Sequence, residues 1–512
     1  MKKIQAKKLF KRIGALVAGV VVLACSSLAF PLTAQAEEKY TYCYDYWGDV
    51  QDSPDAYEVA GVFTCDDLGL EKPMSTTANG LTVVGNYIYL CDTGNNRIVQ
   101  FERIDREHIT FVKEFTSFKG NVEVNTFNKP RDFQINEDGN IFIADTDNNR
   151  VLKLDSEWNY IMEFVKPTDN TLDPELVFQP TKLAVDTAGR VYCIATGINK
   201  GMIKYEADGT FSGFVGATPV VYKLWDYIWK RYFTTAAQRE KMASFVPTEY
   251  ANLYMDHDGF IYACSANLAE EDLKSGSAKA VRRLNLMGND ILIQNGEFPV
   301  YGDIYMGNGG GYTGCSKIVD ITAFDNDVYV LCDKERGRLF TYDSQGRLLF
   351  AFGGKGNIDG YFMKDQPIAL DHMGYDLIAL DSLSRTLTVF TPTEYGNLIY
   401  QAIDQFDAGQ YEESGKSWQK VMDLNGNYDL AYIGVGRALL RQEKYKEAME
   451  YFELKYDDDN YSRAFKQYRK EWVEEHILVI IIVLFAVLVV PMIIGRISKI
   501  KYEIDTADIF KF

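Results

Sequence analysis

The run Ile88-Tyr-Leu-Cys-Asp92-Thr-Gly-Asn95-Asn-Arg97-Ile-Val-Gln-Phe101 returns 53 residues later as Ile141-Phe-Ile-Ala-Asp145-Thr-Asp-Asn148-Asn-Arg150-Val-Leu-Lys-Leu154. Alternating apolar strands separated by Gly and Asp turns at such a period restrict a chain to folds that stack or close one repeated sheet unit. Six copies are traceable, with second strands at Tyr87–Cys91, Ile141–Ala144, Val191–Ile194, Ile261–Cys264, Val328–Cys332 and Asp376–Leu380. Each follows a strand and a turn, such as Asn136-Glu-Asp-Gly139 or Asp256-His-Asp-Gly259, in which glycine supplies the positive φ of a tight hairpin. Four strands per repeat and six repeats predict a mainly β chain closed as a six-bladed β-propeller over residues 37–393. The sixth copy runs out of strand at Thr391-Pro392, so Tyr57–Thr64 is expected to supply its outer strand and remove a free sheet edge.

Asp-Thr-Gly-Asn-Asn-Arg-Ile and Asp-Thr-Asp-Asn-Asn-Arg-Val, each ahead of an alternating strand, resemble the NHL-repeat propellers. The resemblance spans roughly residues 54–391, is sharp in the first two blades and fades after them, as at Asp333-Lys-Glu-Arg-Gly-Arg338. It implies a platform for extracellular or protein binding rather than a particular chemistry. Asp92, Asn95, Arg97, Asp145, Asn148, Arg150, Asp333 and Asp381 are read as architecture, because these groups recur from blade to blade whereas a site uses a residue once.

The two ends place the chain. Lys2, Lys3, Lys7, Lys8, Lys11 and Arg12 precede the uncharged run Ile13–Phe30 and then Ala34-Gln35-Ala36, the order of a secretory signal over residues 1–36. Ile477–Gly495 is free of charge and close to the length that crosses a bilayer. Glu474 and Glu475 stand before it and Arg496, Lys499 and Lys501 after it, so the tail 496–512 is expected in the cytoplasm and the rest outside. Without the six signal cations the net charge moves from -18 to -24, which argues against nucleic acid and anionic lipid as partners. Of the eight cysteines, seven follow the signal with no CxxC pair. Cys91, Cys264 and Cys332 share one repeat position and read as small core residues, and a Cys43–Cys65 disulfide is the one pairing considered.

Function is expected where the repeat is interrupted, on the face bearing the Asp-x-x-Asn loops of blades three to five. The insertion 217–246 reads as a helical hairpin with Trp225, Trp229 and Tyr232 on one apolar stripe, an anchor for a partner, a membrane-resting face or a cover for the rim. The glycine-rich run 306–316 lacks the lysine of a phosphate loop, so it reads as a wall over the central opening with Tyr301, Tyr305 and Tyr312 for stacking. No catalytic, metal or cofactor motif is announced. The four histidines, His108, His257, His372 and His476, are not expected to converge on a zinc ion.

Past Pro392 a second period of 34 residues pairs Tyr411 with Tyr445 and Trp418 with Phe452. Ala408-Gly-Gln-Tyr-Glu-Glu-Ser and Gln442-Glu-Lys-Tyr-Lys-Glu-Ala resemble tetratricopeptide repeats, which implies a helical stalk over 394–475 packed on the propeller or on a partner. The readings carried forward are a membrane-anchored binding or sensing module and an accessory subunit of a transport or envelope complex. A metal-dependent surface hydrolase or lyase is the alternative from another class.

Overall fold

The computed structural model describes residues 40–170, 172, 175–217, 249–305, 314–363 and 368–507. The signal segment, Trp225, Trp229, Tyr232, Tyr312 and residues 508–512 lie outside the described residues.

Six sheets close into a ring through their first strands. Gly80–Val84, Pro130–Ile135, Pro180–Val185, Asn252–Met255, Ile318–Ala323 and Ala369–Met373 each lie against the next, and the last lies against the first. Within each blade the chain steps outward in antiparallel order. The period-two pattern explains how the blades stack. In blade one, Ile88, Leu90 and Val99 point to one side and share a core with Ile378 and Leu380 of blade six. The intervening Tyr89, Cys91 and Ile98 point the other way, into a core with Phe133 and Ile143 of blade two. One alternating strand thus feeds two interblade cores, which is why the strands read as nearly continuous apolar runs.

Blade six is completed by Tyr57–Phe63, paired with Thr386–Pro392, so the closure expected from the sequence is present. Two features depart from the uniform repeat. Blade five gains a hairpin, Thr41–Tyr44 and Val50–Asp52, which extends its sheet to six strands. Among the described residues, blade four has three strands rather than four. After a single bridge from Leu284 to Asp290 the chain crosses toward blade five, where the Asn295 N–H donates to the Gln345 carbonyl at 2.8 Å. Gly296 and Pro299 in this crossing are poor strand formers, and the Gly296 backbone packs closely on the Gly346 carbonyl. The Cys43–Cys65 disulfide is not formed. Both thiols are free and buried, in the different cores of blades five and six. Burial pushes the Cys43 thiol up to about 12, with Asp429 and Asp45 adding to the shift, so it is inert at neutral pH.

Five helices follow: α1 Glu394–Asp407, α2 Tyr411–Leu424, α3 Asp429–Arg441, α4 Tyr445–Leu454 and α5 Asp458–Ala507. Residues 34 positions apart do matching work. Trp418 of α2 lies over Gly434 and Phe452 of α4 over Gly436, both glycines of α3, where an added Cβ would sit 2.5 and 2.6 Å from the rings.

This helical unit shares one hydrophobic core with blades five and six. Tyr375 and Tyr400 stack at 4.4 Å, and the Tyr57 and Tyr400 hydroxyls meet at 2.9 Å. Asp404 accepts from Asn326 and Tyr375 at 2.7 Å each, and the Tyr428 hydroxyl donates to the Leu349 carbonyl at 2.9 Å. Asn326 and Tyr375 lie in turns between first and second strands, so the helices cover the plain face of the propeller and leave the Asp-x-x-Asn face clear of them. Gly396, in the first turn of α1, rests on the Ala56 backbone carbonyl with no room for a Cβ. We therefore expect Gly396→Ala to destabilise the protein by about 1–3 kcal/mol and to expose α1 first. Faster hydrogen exchange confined to α1 and the Tyr57–Phe63 strand checks this.

The last helix is continuous for 50 residues, about 75 Å at the α-helical rise, and leads from the docked unit directly into the apolar run. That run is exposed on every side and is long and apolar enough to cross a membrane.

Candidate functional site

In each of the first two blades the repeated Asp clamps the segment that enters its own blade. Asp92 Oδ1 accepts the Ser75 N–H at 2.8 Å, and Oδ2 takes Asn95 Nδ2 and Arg97 Nε, both at 2.8 Å. Asp145 repeats this with Asn128 N at 2.7 Å, Asn148 Nδ2 at 2.8 Å and Arg150 Nε at 3.0 Å. The second asparagine of each pair, Asn96 or Asn149, adopts the left-handed conformation that asparagine tolerates, and so ends the short 3₁₀ turn. Asp333 and Asp381 serve the same end without the asparagine, accepting Lys317 N at 2.8 Å and Met363 N at 2.9 Å, and the Arg336 guanidinium lies 3.8 Å from Asp333. Thr93 and Thr146 then tie each blade to the next, donating to the Pro130 and Pro180 carbonyls at 2.7 Å.

A second polar set, not singled out from the sequence, lines the central channel. Asp132, Lys182, Asn252 and Asp320 project from the innermost strands and are all buried. They stitch neighbouring blades: Asp132 accepts Leu183 N at 2.7 Å, and Asp320 accepts Leu370 N at 2.8 Å together with the Asn252 amide. Nearer the plain face, Asp371 accepts Val83 N at 2.7 Å, and Thr82 donates to the Phe133 carbonyl at 2.6 Å. Burial pushes the Asp320 carboxyl up to about 7 against the lowering field of Lys182, and burial raises Asp132 in the same way. The signal for this set was a charged residue in the middle of an apolar strand, as in Thr181-Lys182-Leu183 and Val319-Asp320-Ile321.

On the plain face, His257, Asp258 and Asp327 bring three potential ligand atoms within 4.8 Å of one another. The Arg283 guanidinium lies 2.8 Å from Asp327, 2.7 Å from Asp256 and 3.5 Å from Asp258, so a cation's place among them is already held. The other histidines stand elsewhere: His108 on Asp105, His372 on Thr322, His476 on the Trp472 carbonyl.

Of the tyrosines expected to offer rings for stacking, Tyr305 is 60% exposed. Tyr301 is not available, because it is buried in the core shared with Tyr42, Val300 and Tyr342. Tyr305 is held by its backbone, its N–H donating to Asp303 at 2.9 Å and its carbonyl accepting from Arg336 at 2.8 Å.

Residues 127–154 match the family model of the NHL repeat. No curated protein matches the chain. Among solved structures, virginiamycin B lyase from Staphylococcus aureus is 11% identical, over 65% of this chain and 99% of its own, with a TM-score of 0.36. A streptogramin B lyase is 12% identical, over 66% and 100%, with a TM-score of 0.38. A protein of unknown function from Bacteroides thetaiotaomicron is 12% identical, over 63% and 70%, also at 0.38. These likenesses carry no inference about chemistry. The chain is a six-bladed β-propeller bearing an NHL repeat, followed by a helical region that ends in one long apolar helix.

Proposed function

We propose that the protein is a membrane-anchored binding module that holds its propeller outside the membrane and recruits a protein partner on the Asp-x-x-Asn face of blades three to five. The observation that carries this reading is the docking of the helices. They occupy the plain face and continue unbroken into the apolar helix, which leaves the opposite face clear of the anchor. The charge order around the apolar run, acidic before and basic after, favours the propeller outside and the tail in the cytoplasm. Trp472, stacked on His476 at 4.6 Å just ahead of that run, suits a membrane–water boundary. The helices, similar to tetratricopeptide repeats, act in this reading as a stiff mount. Tyr305, Trp225, Trp229, Tyr232 and Tyr312 are the contact residues we assign to the partner.

Crosslinking capture from native membranes tests the assignment, with wild type beside Trp225→Ala/Trp229→Ala and Tyr305→Ala proteins. We expect a membrane or extracellular protein captured by wild type, with at least about a tenfold loss in the double variant, as for aromatic interface anchors. Equal capture by all three proteins would move the interface to the helices or the apolar segment.

A further inference from the structure

The apolar run 477–495 is built from Ile, Leu, Val, Phe, Ala, Met and Gly with a single proline, Pro491, which stands inside the continuous helix α5. Proline has no N–H, and its ring pushes against the carbonyl four residues earlier, so the Val487 carbonyl loses its intrahelical donor. Every other backbone N–H of the span is used in the helix's own ladder, which leaves one acceptor over and no spare donor. In water the solvent takes such a bond. In hydrocarbon nothing does, and an unpaired carbonyl is costly.

The depth of this carbonyl makes the deficit acute. Val487 is the eleventh of the 19 residues from Ile477 to Gly495, one place from the midpoint of the run. A membrane helix repairs such a gap with its own Ser or Thr, with ordered water, with a local change of helix type, or with a donor from a neighbouring helix. This span has no Ser, Thr, Asn, Gln, Tyr, Trp or charged residue, so nothing polar brings water to that depth. The chain also stays α-helical through Pro491, with no 3₁₀ or π turn to absorb the change. The nearest side-chain donors, His476 and Arg496, stand 11 and 9 residues away, about 16 and 14 Å along the axis. His476 is already engaged with the Trp472 carbonyl at 2.9 Å. The face around the gap is uncovered: Leu484, Val487 and Leu488 are 55%, 63% and 71% exposed.

A second copy of the chain does not fill the gap, because its span has the same composition and lacks a donor in the same way. The complement is a helix that brings a hydroxyl or carboxamide to mid-membrane, where its partial positive charge meets the partial negative charge of the carbonyl. We propose that residues 484–491 are a docking surface within the membrane for a transmembrane helix of a different protein, one whose Ser, Thr, Asn or Gln near the bilayer midplane donates to the Val487 carbonyl. The inference rests on the reading of Ile477–Gly495 as a membrane span. It is independent of the partner face on blades three to five.

The test uses full-length protein reconstituted in phosphatidylcholine vesicles with synthetic lysine-flanked polyleucine helices, association being read by energy transfer between dyes. One helix carries a serine at its centre, one carries serines a turn to either side of the centre, and one carries none. The centred serine is expected to raise association about three- to twentyfold over the serine-free helix, the scale of interhelical hydrogen bonds in membranes. Pro491→Leu restores the missing N–H and should abolish the preference. Val487→Pro combined with Pro491→Leu moves the freed carbonyl one turn, to Val483, and should transfer the preference to the off-centre serines. Equal association of the three helices with wild type, or a preference that neither variant changes, would overturn the proposal. Energy transfer between protein copies that Pro491→Leu abolishes would overturn it in favour of a second copy. Release of the protein by alkaline carbonate would refute the membrane span and this proposal together, whereas retention with any of the other adverse results refutes the proposal alone.

Discussion

Replacing Asp145 by alanine is expected to lower the unfolding free energy by about 3–5 kcal/mol, the scale of breaking a buried charge pair. The carboxylate is fully buried and gathers three donors from different places: the Asn128 backbone, the Asn148 amide and Arg150. Its removal leaves the Asn128 N–H without its acceptor, which costs about 1–3 kcal/mol, while the Asn148 amide keeps the Thr126 carbonyl at 2.9 Å. It also deprives Arg150 of its buried partner, although the guanidinium keeps Glu163 at 3.2 Å and the Val124 carbonyl at 2.9 Å. Asp145→Asn, which preserves the shape, should recover part of the loss. Glu137→Ala, on the exposed turn of the same blade, should stay within about 0.5 kcal/mol of wild type. Denaturant melts of the three variants check the order. A loss at Asp145→Ala no larger than that at Glu137→Ala would show that the repeated aspartate is not part of the architecture.

That prediction rests on a motif visible in the sequence, and the reason is physical. Each NHL-like repeat solves the same local problem, fixing the entry of one blade to its own second strand, so the same residues recur at the same spacing. The ring closure by Tyr57–Phe63 was legible for a related reason: a sheet short of one strand needs it from somewhere. The helices were legible through Trp418 and Phe452, which need small partners at a fixed offset. What could not be read are contacts whose partners are remote in the chain. The third strand pair of blade five comes from residues 41–52, a segment with no repeat signature. The seating of the N-terminal hairpin against α3 depends on the Tyr46 N–H donating to the Asp429 carboxylate, 383 residues away, at 3.3 Å. Tyr301 and Tyr305 look alike in sequence, yet one is core and the other surface, because the crossing after blade four buries its first part against blade five.

The second prediction concerns the channel, where four side chains from different blades meet. Lys182→Met is expected to destabilise the protein by about 3 kcal/mol at alkaline pH and by much less under acid conditions. Lys182 is the buried cation whose field favours the ionised forms of both Asp132 and Asp320. The direction with pH follows from the carboxyl. Burial, only partly offset by Lys182 and by the Leu370 and Ile321 N–H groups, raises Asp320 from 3.8 to about 7 in the folded protein. Between those values the folded chain holds a proton that the unfolded chain has released, so stability falls as pH rises through the window and levels off above about 7. Without the lysine ammonium both carboxyls must either stay protonated to higher pH or ionise beside no cation, so the window widens upward and the loss grows with pH. At pH near 4 the Asp320 carboxyl is protonated in variant and wild type alike, so the part of the penalty that Lys182 owes to Asp320 disappears. Asp320→Asn should act in the opposite sense, flattening the wild-type slope between pH 4 and 7 because its amide does not titrate. Urea melts at pH 5 and pH 8 decide the matter. A Lys182→Met penalty equal at the two pH values would mean that the lysine is not what holds the channel carboxylates in their ionised form.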